Sequence, residues 1–422
     1  MESSTPASAQ QVALIVGAGH AGSEAAISLR QNGYAGRILL AGDEPHLPYH
    51  RPPLSKAYLQ GAVTADALLI RPRAAYEKAD IELLPGTTVL DLDLVNRTAA
   101  FSDGTTQPWN QLILATGSRP RALPASCLEG GGQPANLHYL RSLADATALA
   151  AQLLPGRRLV IVGGGYIGLE VAASAIKLGV SVTVLEAQPR VLARVTAAEV
   201  SAFYERIHRD AGVDIRIDAQ LERFQTDDNG NVRAVLTTRG ESIDADLVLV
   251  GVGALPNTEL AERAGLGTDN GIVVDESNCA AAPGVHAIGD CCSRYSSAYG
   301  RHLRLESVPN AMEQARIAAA AITGKPAPAI APPWFWSDQY DLKLQIAGLN
   351  AGYDQVVLRG SPDDSSFVAF YLQAGRIIAA DCVNRATEFA AIKKLVQQRS
   401  SIPAPLLADP GVVLKALLET AA

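Results

Sequence analysis

The stretch QVALIVGAGHAG, residues 11–22, joins a short apolar run to a glycine-rich turn. The run Val12–Val16 predicts a buried parallel strand, and the alanine-rich residues after the turn predict a helix. In such a turn Gly17 permits the tight bend, Gly19 lets backbone N–H groups approach a pyrophosphate, and Gly22 lets the helix pack closely on the strand. The stretch therefore predicts a dinucleotide-binding unit.

An acidic residue completes this first unit. The apolar segment Ile38–Ala41 predicts a second strand, and Asp43 follows it, 21 residues after Gly22. A carboxylate at that distance accepts hydrogen bonds from both hydroxyls of an adenosine ribose. A GxGxxG motif alone is weak evidence because glycine-rich turns are common. Strand, turn, helix, strand and acid in one segment together indicate a nucleotide site.

The pattern begins again at Leu159, with the sequence LVIVGGGYIGLEVAASAIKLGVSVTVLEA. Gly163, Gly165 and Gly168 repeat the fingerprint 146 positions after the first one, counted from residue 17 to residue 163. Another acid, Glu186, stands at the end of the second predicted strand. Two such units in tandem predict two bound nucleotides.

Glu186 bears on which nicotinamide nucleotide binds to the second unit. Its carboxylate accepts hydrogen bonds from ribose hydroxyls and repels a 2′-phosphate, which favours NAD over NADP. Arg190, four residues later, is a counter-argument, because an arginine nearby can accommodate a 2′-phosphate. No basic residue directly follows Glu186, so we expect NAD.

Three later segments indicate how the domains are assembled. LILATG, residues 112–117, and LVLVGVG, residues 247–253, each predict a buried strand that ends in a glycine turn. GVHAIGD, residues 284–290, predicts a further strand, and a helix is expected over residues 306–322 with Pro309 in its first turn. Because these last elements follow both units, the chain can return there to complete the first domain.

The composition limits the class of protein. A chain of 422 residues, 48% of them hydrophobic, indicates two or three globular domains. The net charge of -7 argues against a general affinity for nucleic acid or anionic lipid. The five cysteines contain no CxxC, so neither a disulfide framework nor a zinc site is indicated, and we predict no metal. The adjacent Cys291 and Cys292 could form a redox pair, but the interpretation as small core residues is favoured.

The N-terminal residues MESSTPASAQQ bear on localisation. They contain an acid at position 2, no basic n-region and no apolar h-region, so we expect no secretory or transit signal. No apolar run approaches the ~20 residues that a membrane-spanning helix needs. We therefore expect a cytoplasmic protein that does not enter a membrane.

A proline-rich loop follows the first unit. The prolines of EPHLPYHRPPLSKAYLQG, residues 44–61, forbid a regular helix before Leu54, so we expect a stiff loop that leads into a helix. Arg51, Ser55 and Lys56 stand at its mouth. Because loops beside cofactor-binding strands often carry functional residues, Lys56 is interpreted either as a cofactor contact or as a solvated surface residue.

The residues from 326 onward have a different character. A proline-rich linker, PAPAIAPP, is followed by Trp334 and Trp336, by four segments with strand patterns and by a helix expected over residues 387–399. The last two strands would form a hairpin at Ala374-Gly375. These features predict a small α+β domain, whose tryptophans either belong to a core or cover a flat aromatic cofactor.

Several motifs together resemble a known family. They are GAGHAG with Asp43, EPHLPYHRPPLSK, LILATG, VGGGYIGLE, VHAIGD, ESVPNAMEQA and PWFWSDQ. In this order, spread over nearly the whole chain, they are similar to the FAD-dependent NADH:ferredoxin reductases of bacterial oxygenase systems. The resemblance implies an α/β fold of glutathione-reductase-like architecture, with two Rossmann-like dinucleotide-binding domains and a C-terminal α+β domain.

The resemblance also implies domain bounds and site residues. An FAD domain would comprise residues 1–117 and 254–325, an NAD domain residues 118–253, and a domain over the flavin residues 326–422. The residues expected by motif to hold FAD are Gly17, Gly19, Gly22, Asp43, Arg51, Lys56, Thr116, Gly117, Asp290, Val308 and Trp336. Those expected to hold NADH are Gly163, Gly165, Ile167, Gly168 and Glu186.

Three residues are expected by the same resemblance to act in catalysis. Lys56 would lie near the reactive edge of the flavin, Glu170 would lie beside the nicotinamide pocket and could pair with that lysine, and Trp336 would stack on the exit side. NADH would give a hydride to the flavin, which would reduce a 2Fe-2S ferredoxin of a cytochrome monooxygenase or dioxygenase by single electrons. No cysteine precedes Cys127, so disulfide reductase and cysteine-type oxidase activities lose support.

The ferredoxin partner implied by the resemblance is acidic and binds transiently. A basic docking patch is therefore expected, and its candidates are Arg71, Arg73, Arg316, Lys343 and Lys415. No coiled coil is visible, so we expect a monomer or weak dimer. Two alternatives stay open: an NADH-oxidising flavoprotein with another acceptor, such as oxygen or a quinone, and a redox signalling protein similar to apoptosis-inducing factor. For the signalling protein we would expect a targeting segment or a long C-terminal insertion, and neither is visible.

Overall fold

A computed structural model describes residues 11–128 and 132–420, and these divide into two compact units. The first unit comprises the residues up to 50, 66–119 and 254–330, and the second comprises 51–65, 120–253 and the residues from 331 onward. The division into three domains stays a prediction. Residues 1–10, on which the expected lack of a targeting signal depends, lie outside the described residues. No helix within the described ranges is long and apolar enough to cross a membrane.

A five-stranded parallel sheet forms the centre of the first unit. Its strands, in spatial order, are Val285–Ala287, Gln111–Leu114, Val12–Val16, Arg37–Gly42 and Ile81–Pro85. Every residue of Val12–Val16 is buried, because both faces of the sheet are covered. Val285–Ala287 pairs with Gln111–Leu114, so the predicted return of the chain to the first sheet is confirmed.

Two layers cover this first sheet. The helices His20–Gln31 and Val308–Thr323 pack together on one face through small buried residues such as Ala25 and Ala315. The other face is covered by the antiparallel strands Val89–Asp93, Thr98–Phe101 and Thr106–Pro108. The remaining elements of the unit are Asp66–Leu68, Arg73–Lys78, Ala254–Pro256, Glu259–Arg263, Ile272–Val274, Gly289–Cys291, Cys292–Ser296 and Arg301–Leu303, and the strand Ser118–Pro120 lies where the chain leaves it.

The second unit repeats the parallel sheet. Its strands, in spatial order, are Asp214–Arg216, Ser181–Leu185, Arg158–Val162, Leu247–Val250 and Leu137–His138. The helices of this part are Leu143–Ala150, Tyr166–Lys177 and Ala198–Asp210, with short 3-10 turns at Pro52–Ser55 and Ala125–Cys127. The antiparallel strands Leu221–Thr226, Val232–Thr237 and Ser242–Asp244 cover one face.

The C-terminal part of the second unit is an antiparallel sheet covered by helices. Its strands, in spatial order, are Trp334–Gln339, Leu342–Gly348, Arg376–Val383, Ser366–Gln373 and Gln355–Ser361. The helices are Ala386–Gln398, Ala404–Ala408 and Leu414–Thr420, with a 3-10 turn at Pro362–Asp364. Leu344 and Phe367 of this sheet share a core with Leu169, so the sheet packs on the repeated fingerprint helix.

The structure confirms several local predictions and corrects others. The helix with Pro309 in its first turn spans Val308–Thr323, and Gln373 pairs with Arg376 across the predicted two-residue turn. The expected helix after Leu54 is wrong: a 3-10 turn ends at Ser55, because Lys56 leaves helical backbone geometry, and further turns follow. Two short helices after residue 399 and the helix Ala198–Asp210 were not predicted.

Candidate nucleotide sites and a buried lysine–glutamate pair

Glycine occupies the three positions of the first fingerprint for different structural reasons. A Cβ on Gly17 would lie 2.1 Å from the carbonyl oxygen of Ala115, and one on Gly22 would lie 1.9 Å from the carbonyl oxygen of Gly17. Gly19 is different, because no atom of the described chain lies within 4 Å of the place where its Cβ would be. Its backbone is extended, with φ -83 and ψ -161, which any residue can adopt. The fold therefore requires Gly17 and Gly22, whereas Gly19 keeps open a space at the start of the helix His20–Gln31.

The second fingerprint divides its glycines in the same way. A Cβ on Gly163 would lie 2.4 Å from the carbonyl oxygen of Gly251, and one on Gly168 would lie 2.2 Å from that of Gly163. A Cβ on Gly165 would again meet no described atom within 4 Å, and its backbone is extended. Both turns thus present the N-terminus of a 12-residue helix, without a side-chain cap, to an open space. A pyrophosphate fits such a place, because free N–H groups and the helix dipole both favour an anion.

The two acids lie at the ends of equivalent strands but in different surroundings. Asp43 is exposed, and its carboxylate forms no hydrogen bond or ion pair with any of the described residues. Glu186 is half-buried: Oε2 accepts a hydrogen bond from the backbone N–H of Gly164 at 2.8 Å, and Oε1 accepts one from that of Gln188 at 2.8 Å. The fold therefore orients the Glu186 carboxylate over its glycine turn and leaves that of Asp43 free to take ribose hydroxyls.

Arg190, the counter-argument to NAD, is hydrogen-bonded to the chain itself. Its guanidinium donates hydrogen bonds to the carbonyl oxygens of Thr196 and Ala193, each at 2.9 Å, and to Oγ of Ser201 at 2.9 Å. These bonds use both N–H groups of Nη1 and one of Nη2, and they direct the guanidinium toward the backbone of residues 193–197. The contacts weaken the argument for NADP in this unit.

The remaining residues expected to hold FAD in the first unit lie on connected backbone. The side chain of Thr116 donates to the carbonyl oxygen of Asn257 at 2.7 Å, and the side chain of Asn257 donates to that of Thr116 at 2.8 Å. Ser118 donates to the carboxylate of Asp290 at 2.9 Å. Gly117, with φ +68, lies between these two contacts. The contacts fix the ends of two neighbouring strands, the edge where open α/β sheets bind ligands.

The helix that begins at Val308 is also anchored. The hydroxyl of Ser307 accepts a hydrogen bond from the N–H of Asn310 at 3.3 Å. The 16-residue helix therefore has a defined N-terminus, where its dipole favours negative charge.

Lys56 and Glu170 form an ion pair in the second unit, with a buried carboxylate and a partly buried ammonium group. Nζ of Lys56 lies 2.6 Å from Oε2 of Glu170, whose side chain is 3% exposed. Oγ of Ser55 donates to the same oxygen at 2.5 Å, and Oγ of Ser337 donates to Oε1 at 2.7 Å. Lys56 also donates to the carbonyl oxygen of Pro52 at 3.1 Å. Three segments distant in sequence, residues 52–56, Glu170 and Ser337, thus meet at one carboxylate, and Lys56 is not the freely solvated side chain of the alternative interpretation.

The other expected residues of the second unit stay partly exposed. Arg51 donates to the backbone of Arg141 at 2.8 Å. Ile167 is 45% exposed in the first turn of its helix. Trp336 is half-buried on the strand Trp334–Gln339, with its ring centroid 5.6 Å from that of Trp334. The partly exposed side chains leave apolar surface that a ligand can cover.

Sequence reasoning missed a second buried carboxylate, Glu24. It accepts hydrogen bonds from Arg71 at 2.9 Å and from Arg316 at 2.8 Å. The signal was present, because Glu24 follows Gly22 by two residues as Glu170 follows Gly168. Arg71 and Arg316, predicted as docking residues, therefore also have a structural partner.

The two adjacent cysteines belong to the core. Cys291 and Cys292 are fully buried free thiols, and burial raises the pKa of both. The thiol form of a buried cysteine is inert in redox exchange, so the interpretation as core residues is confirmed.

Known proteins resemble the chain along nearly its whole length. Residues 12–315 match the family described as pyridine nucleotide-disulphide oxidoreductase, and residues 334–418 match the domain described as reductase C-terminal. Putidaredoxin reductase CamA of Pseudomonas putida is 47% identical over 409 residues, which cover 97% of each chain. The probable ferredoxin reductase CtmF of Castellaniella defragrans is 44% identical, covering 97% of this chain and 99% of that protein.

A solved structure is similar to this chain over nearly its whole length. The crystal structure of the covalent putidaredoxin reductase–putidaredoxin complex matches with a TM-score of 0.94 at 47% identity, covering 98% of this chain and 99% of that one. The predicted glutathione-reductase-like fold is confirmed. The chain belongs to the pyridine nucleotide-disulphide oxidoreductase family and, within it, to the ferredoxin reductases.

Proposed function

We propose that this chain is an NADH-dependent, FAD-containing reductase of a 2Fe-2S ferredoxin that serves an oxygenase. The observation that carries the proposal is the pair of glycine turns, in which Gly19 and Gly165 each leave a space that no described atom fills. Family membership supports FAD and a nicotinamide nucleotide as the two occupants. Bound FAD supplies the chemistry that accepts a hydride and releases electrons singly.

The first unit would hold FAD. Gly19 would admit the pyrophosphate to the helix N-terminus, and Asp43 would accept the ribose hydroxyls. Asp290, held by Ser118, would bind nearer the flavin end. The N-terminus of the helix Val308–Thr323 would favour the extra negative charge of a reduced flavin.

The second unit would hold NADH. Gly165 would admit the pyrophosphate, and Ile167 would contribute apolar surface. Glu186 would accept the ribose hydroxyls without reorientation, because both of its oxygens are already held by backbone N–H groups. NADPH is disfavoured, because the Glu186 carboxylate would repel its 2′-phosphate and Arg190 is engaged elsewhere.

Lys56 and Glu170 would orient the reacting end of the nicotinamide nucleotide in the second unit. Hydride transfer depends on orientation more than on acid or base catalysis, so a fixed ammonium group is useful as a positioning charge. The carboxylate holds the ammonium group, and Ser55 and Ser337 hold the carboxylate. Trp336 would act on the exit side, beside Trp334.

The acceptor is proposed to be an acidic ferredoxin that binds transiently to exposed cations. Arg73, Lys343 and Lys415 are exposed, and Arg316 keeps half of its side chain exposed although it binds Glu24. Complementary charge accelerates such an encounter mainly at low salt. A cytoplasmic monomer or weak dimer would be consistent with this role.

Anaerobic stopped-flow absorbance tests the proposal. The FAD-loaded protein is reduced with NADH or NADPH and then mixed with an acidic 2Fe-2S ferredoxin. Fast bleaching by NADH alone, followed by ferredoxin reduction, is the expected result. Fast bleaching without electron transfer would refute the ferredoxin acceptor, and slow bleaching would favour the signalling alternative.

A charge substitution tests the docking surface separately. Lys415→Glu should raise the KM for ferredoxin roughly threefold at low ionic strength, because attraction across an interface gives modest energies. The effect should vanish at high salt, while the rate of flavin reduction by NADH stays unchanged. An unchanged KM at low salt would remove Lys415 from the docking surface.

A further inference from the structure

A chain of hydrogen bonds leads from Glu170 to His208. Gln339 Nε2 lies 3.2 Å from Oγ of Ser337, which itself donates to Glu170. Gln339 Oε1 lies 2.8 Å from Nε2 of His208, and Nδ1 of His208 lies 3.0 Å from the hydroxyl of Tyr340. All five residues belong to the second unit, and the three inner members, Ser337, Gln339 and His208, are buried.

The carboxylate at one end fixes the direction of every bond. An ionised carboxylate only accepts hydrogen bonds, so Ser337 must donate to Glu170. The Ser337 oxygen then accepts from the amide N–H of Gln339, whose carbonyl oxygen accepts from Nε2–H of His208. His208 Nδ1 is left without a proton and accepts from Tyr340. One tautomer of His208 and one orientation of Gln339 follow from the charge on Glu170.

Burial keeps His208 and Tyr340 in the protonation states that this direction needs. It lowers the pKa of His208 to about 4, so the imidazole is neutral at neutral pH. It raises the pKa of Tyr340 to about 12, so the phenol keeps its proton. The amide of Gln339 cannot pass a proton on as a hydroxyl or an imidazole can. The chain therefore orients groups and does not conduct protons.

We propose that His208 is a positioning residue for the Lys56–Glu170 pair, acting through Gln339 and Ser337 to keep a hydroxyl donor directed at the Glu170 carboxylate. The inference rests on the proposed function only in that it assigns that pair to hydride transfer. If Gln339 turned over, Ser337 would donate to Gln339 instead, and Glu170 would hold Lys56 with one donor fewer. His208 opposes this, because turning Gln339 over would require His208 to change to the Nδ1–H tautomer and Tyr340 to reverse its hydrogen bond.

Nitrogen NMR of the FAD-loaded enzyme with 15N-labelled histidine tests the direction of the chain. The neutral Nε2–H tautomer of His208 is expected between pH 6 and pH 8, with the signal assigned by its loss in His208→Gln. In Glu170→Gln the new amide N–H can donate to Ser337, so the chain should reverse and His208 should change to the Nδ1–H tautomer. The Nδ1–H tautomer in the unchanged enzyme, or no change in Glu170→Gln, would overturn the proposal.

The labelling rate of Lys56 tests the consequence for the ion pair. His208→Phe removes the donor that holds the carbonyl oxygen of Gln339, so Gln339 can turn over and take the Ser337 proton. Acetylation of Lys56 relative to the exposed Lys343 should then rise roughly fivefold, as expected for the loss of one buried hydrogen bond. Gln60→Met is the matched control, because Gln60 bonds Ser174 on the same helix as Glu170. An equal rise in both variants, or none in His208→Phe, would overturn the positioning role.

The two tests separate this inference from the proposed function. Neither readout uses NADH or ferredoxin. If both give the expected result and ferredoxin is still not reduced, the proposed acceptor fails and the positioning role stands.

Discussion

Glu24 and Glu170 occupy the same place in the two repeated units, two residues after the last glycine of each fingerprint, yet they have different partners. Glu24, with a side chain that is 8% exposed, binds two arginines, Arg71 and Arg316. Glu170 binds one lysine, Lys56, and two serines. The helix position is the same, but the cations are of different chemical kinds.

The difference indicates what each carboxylate does. Arginine stays charged and presents several fixed donors, so the ion pairs of Glu24 with Arg71 and Arg316 stabilise the packing of the first unit at all ordinary pH values. Lysine is a compact point charge whose state responds to its surroundings, which suits a group placed beside a reaction. The repeat therefore supplies the same buried acid twice, and in the unit proposed to bind NADH we propose that it serves for positioning.

The largest expected effects come from the two glycines that the fold does not need. Gly19→Val should weaken FAD binding by on the order of 100-fold, and Gly165→Val should weaken NADH binding as much while FAD is retained, because each new side chain enters only the ligand space. Flavin content and NADH titration of the two purified variants measure this.

Gly17→Ala is the control for these two variants. Its Cβ would collide with the backbone of Ala115, so the variant should fail to fold whether or not a nucleotide is present. Loss of FAD in Gly165→Val would contradict the separate assignment of the two turns.

Removing one cationic partner of Glu170 and one of Glu24 should lower the free energy of unfolding by unequal amounts. Lys56→Met leaves Glu170 buried without a cation and should lower the free energy of unfolding by about 3 kcal/mol. Arg71→Met leaves Glu24 with Arg316 and should cost about 1 kcal/mol. Urea unfolding followed by circular dichroism measures both. Equal losses would mean that the two carboxylates do not differ in their dependence on a single partner.

Each unit also contains a buried histidine, which predicts a dependence of stability on pH. Burial lowers the pKa of His208 and of His286 to about 4, below the value near 6.5 of the unfolded chain. The unfolded state therefore binds protons first, and each histidine should reduce stability by about 2 kcal/mol between pH 7 and pH 5. In His208→Gln and in His286→Gln the loss of stability between pH 7 and pH 5 should be smaller by that amount. Urea unfolding at the two pH values measures it.

One group in the second unit acts in the opposite sense. Burial raises the pKa of Asp381 to about 7, so its contribution to stability is lost as pH rises from about 4 to 7. The pH dependence assigned to His208 must therefore be taken from the difference between the variant and the unchanged protein. If both variants lost as much stability between pH 7 and pH 5 as the unchanged protein does, the buried, neutral state of the histidines would be contradicted.

The two ribose acids should give the smallest effects. Asp43→Asn should weaken FAD binding roughly tenfold, and Glu186→Gln should raise the KM for NADH roughly tenfold and reduce the preference over NADPH. The change in nucleotide preference should be confined to Glu186→Gln. Steady-state kinetics with both nucleotides, together with flavin content, measure this. A changed preference in Asp43→Asn would contradict the assignment.

The sequence predicts structure formed by residues close together in the chain better than contacts between residues far apart in it. The glycine turns, their strands and the acids Asp43 and Glu186 follow from local pattern, because all their parts lie within about 30 residues. The pairing of Lys56 with Glu170, 114 residues apart, was proposed only by resemblance to a family.

No local sequence pattern indicates the contacts of longest range. Arg316 reaches Glu24 across 292 residues, and Ser337 reaches Glu170 across 167. A serine or an arginine in a strand or helix has the same pattern whether it meets water or a buried carboxylate. Only the packing of the folded chain decides which.

The stoichiometry of nucleotide binding tests the central claim most directly. Equilibrium ultrafiltration with FAD and NAD+ should give one FAD and one NAD+ per chain, and a large excess of NAD+ should leave the FAD in place. Displacement of FAD by NAD+, or two FAD per chain, would contradict the division of the two units between the two nucleotides.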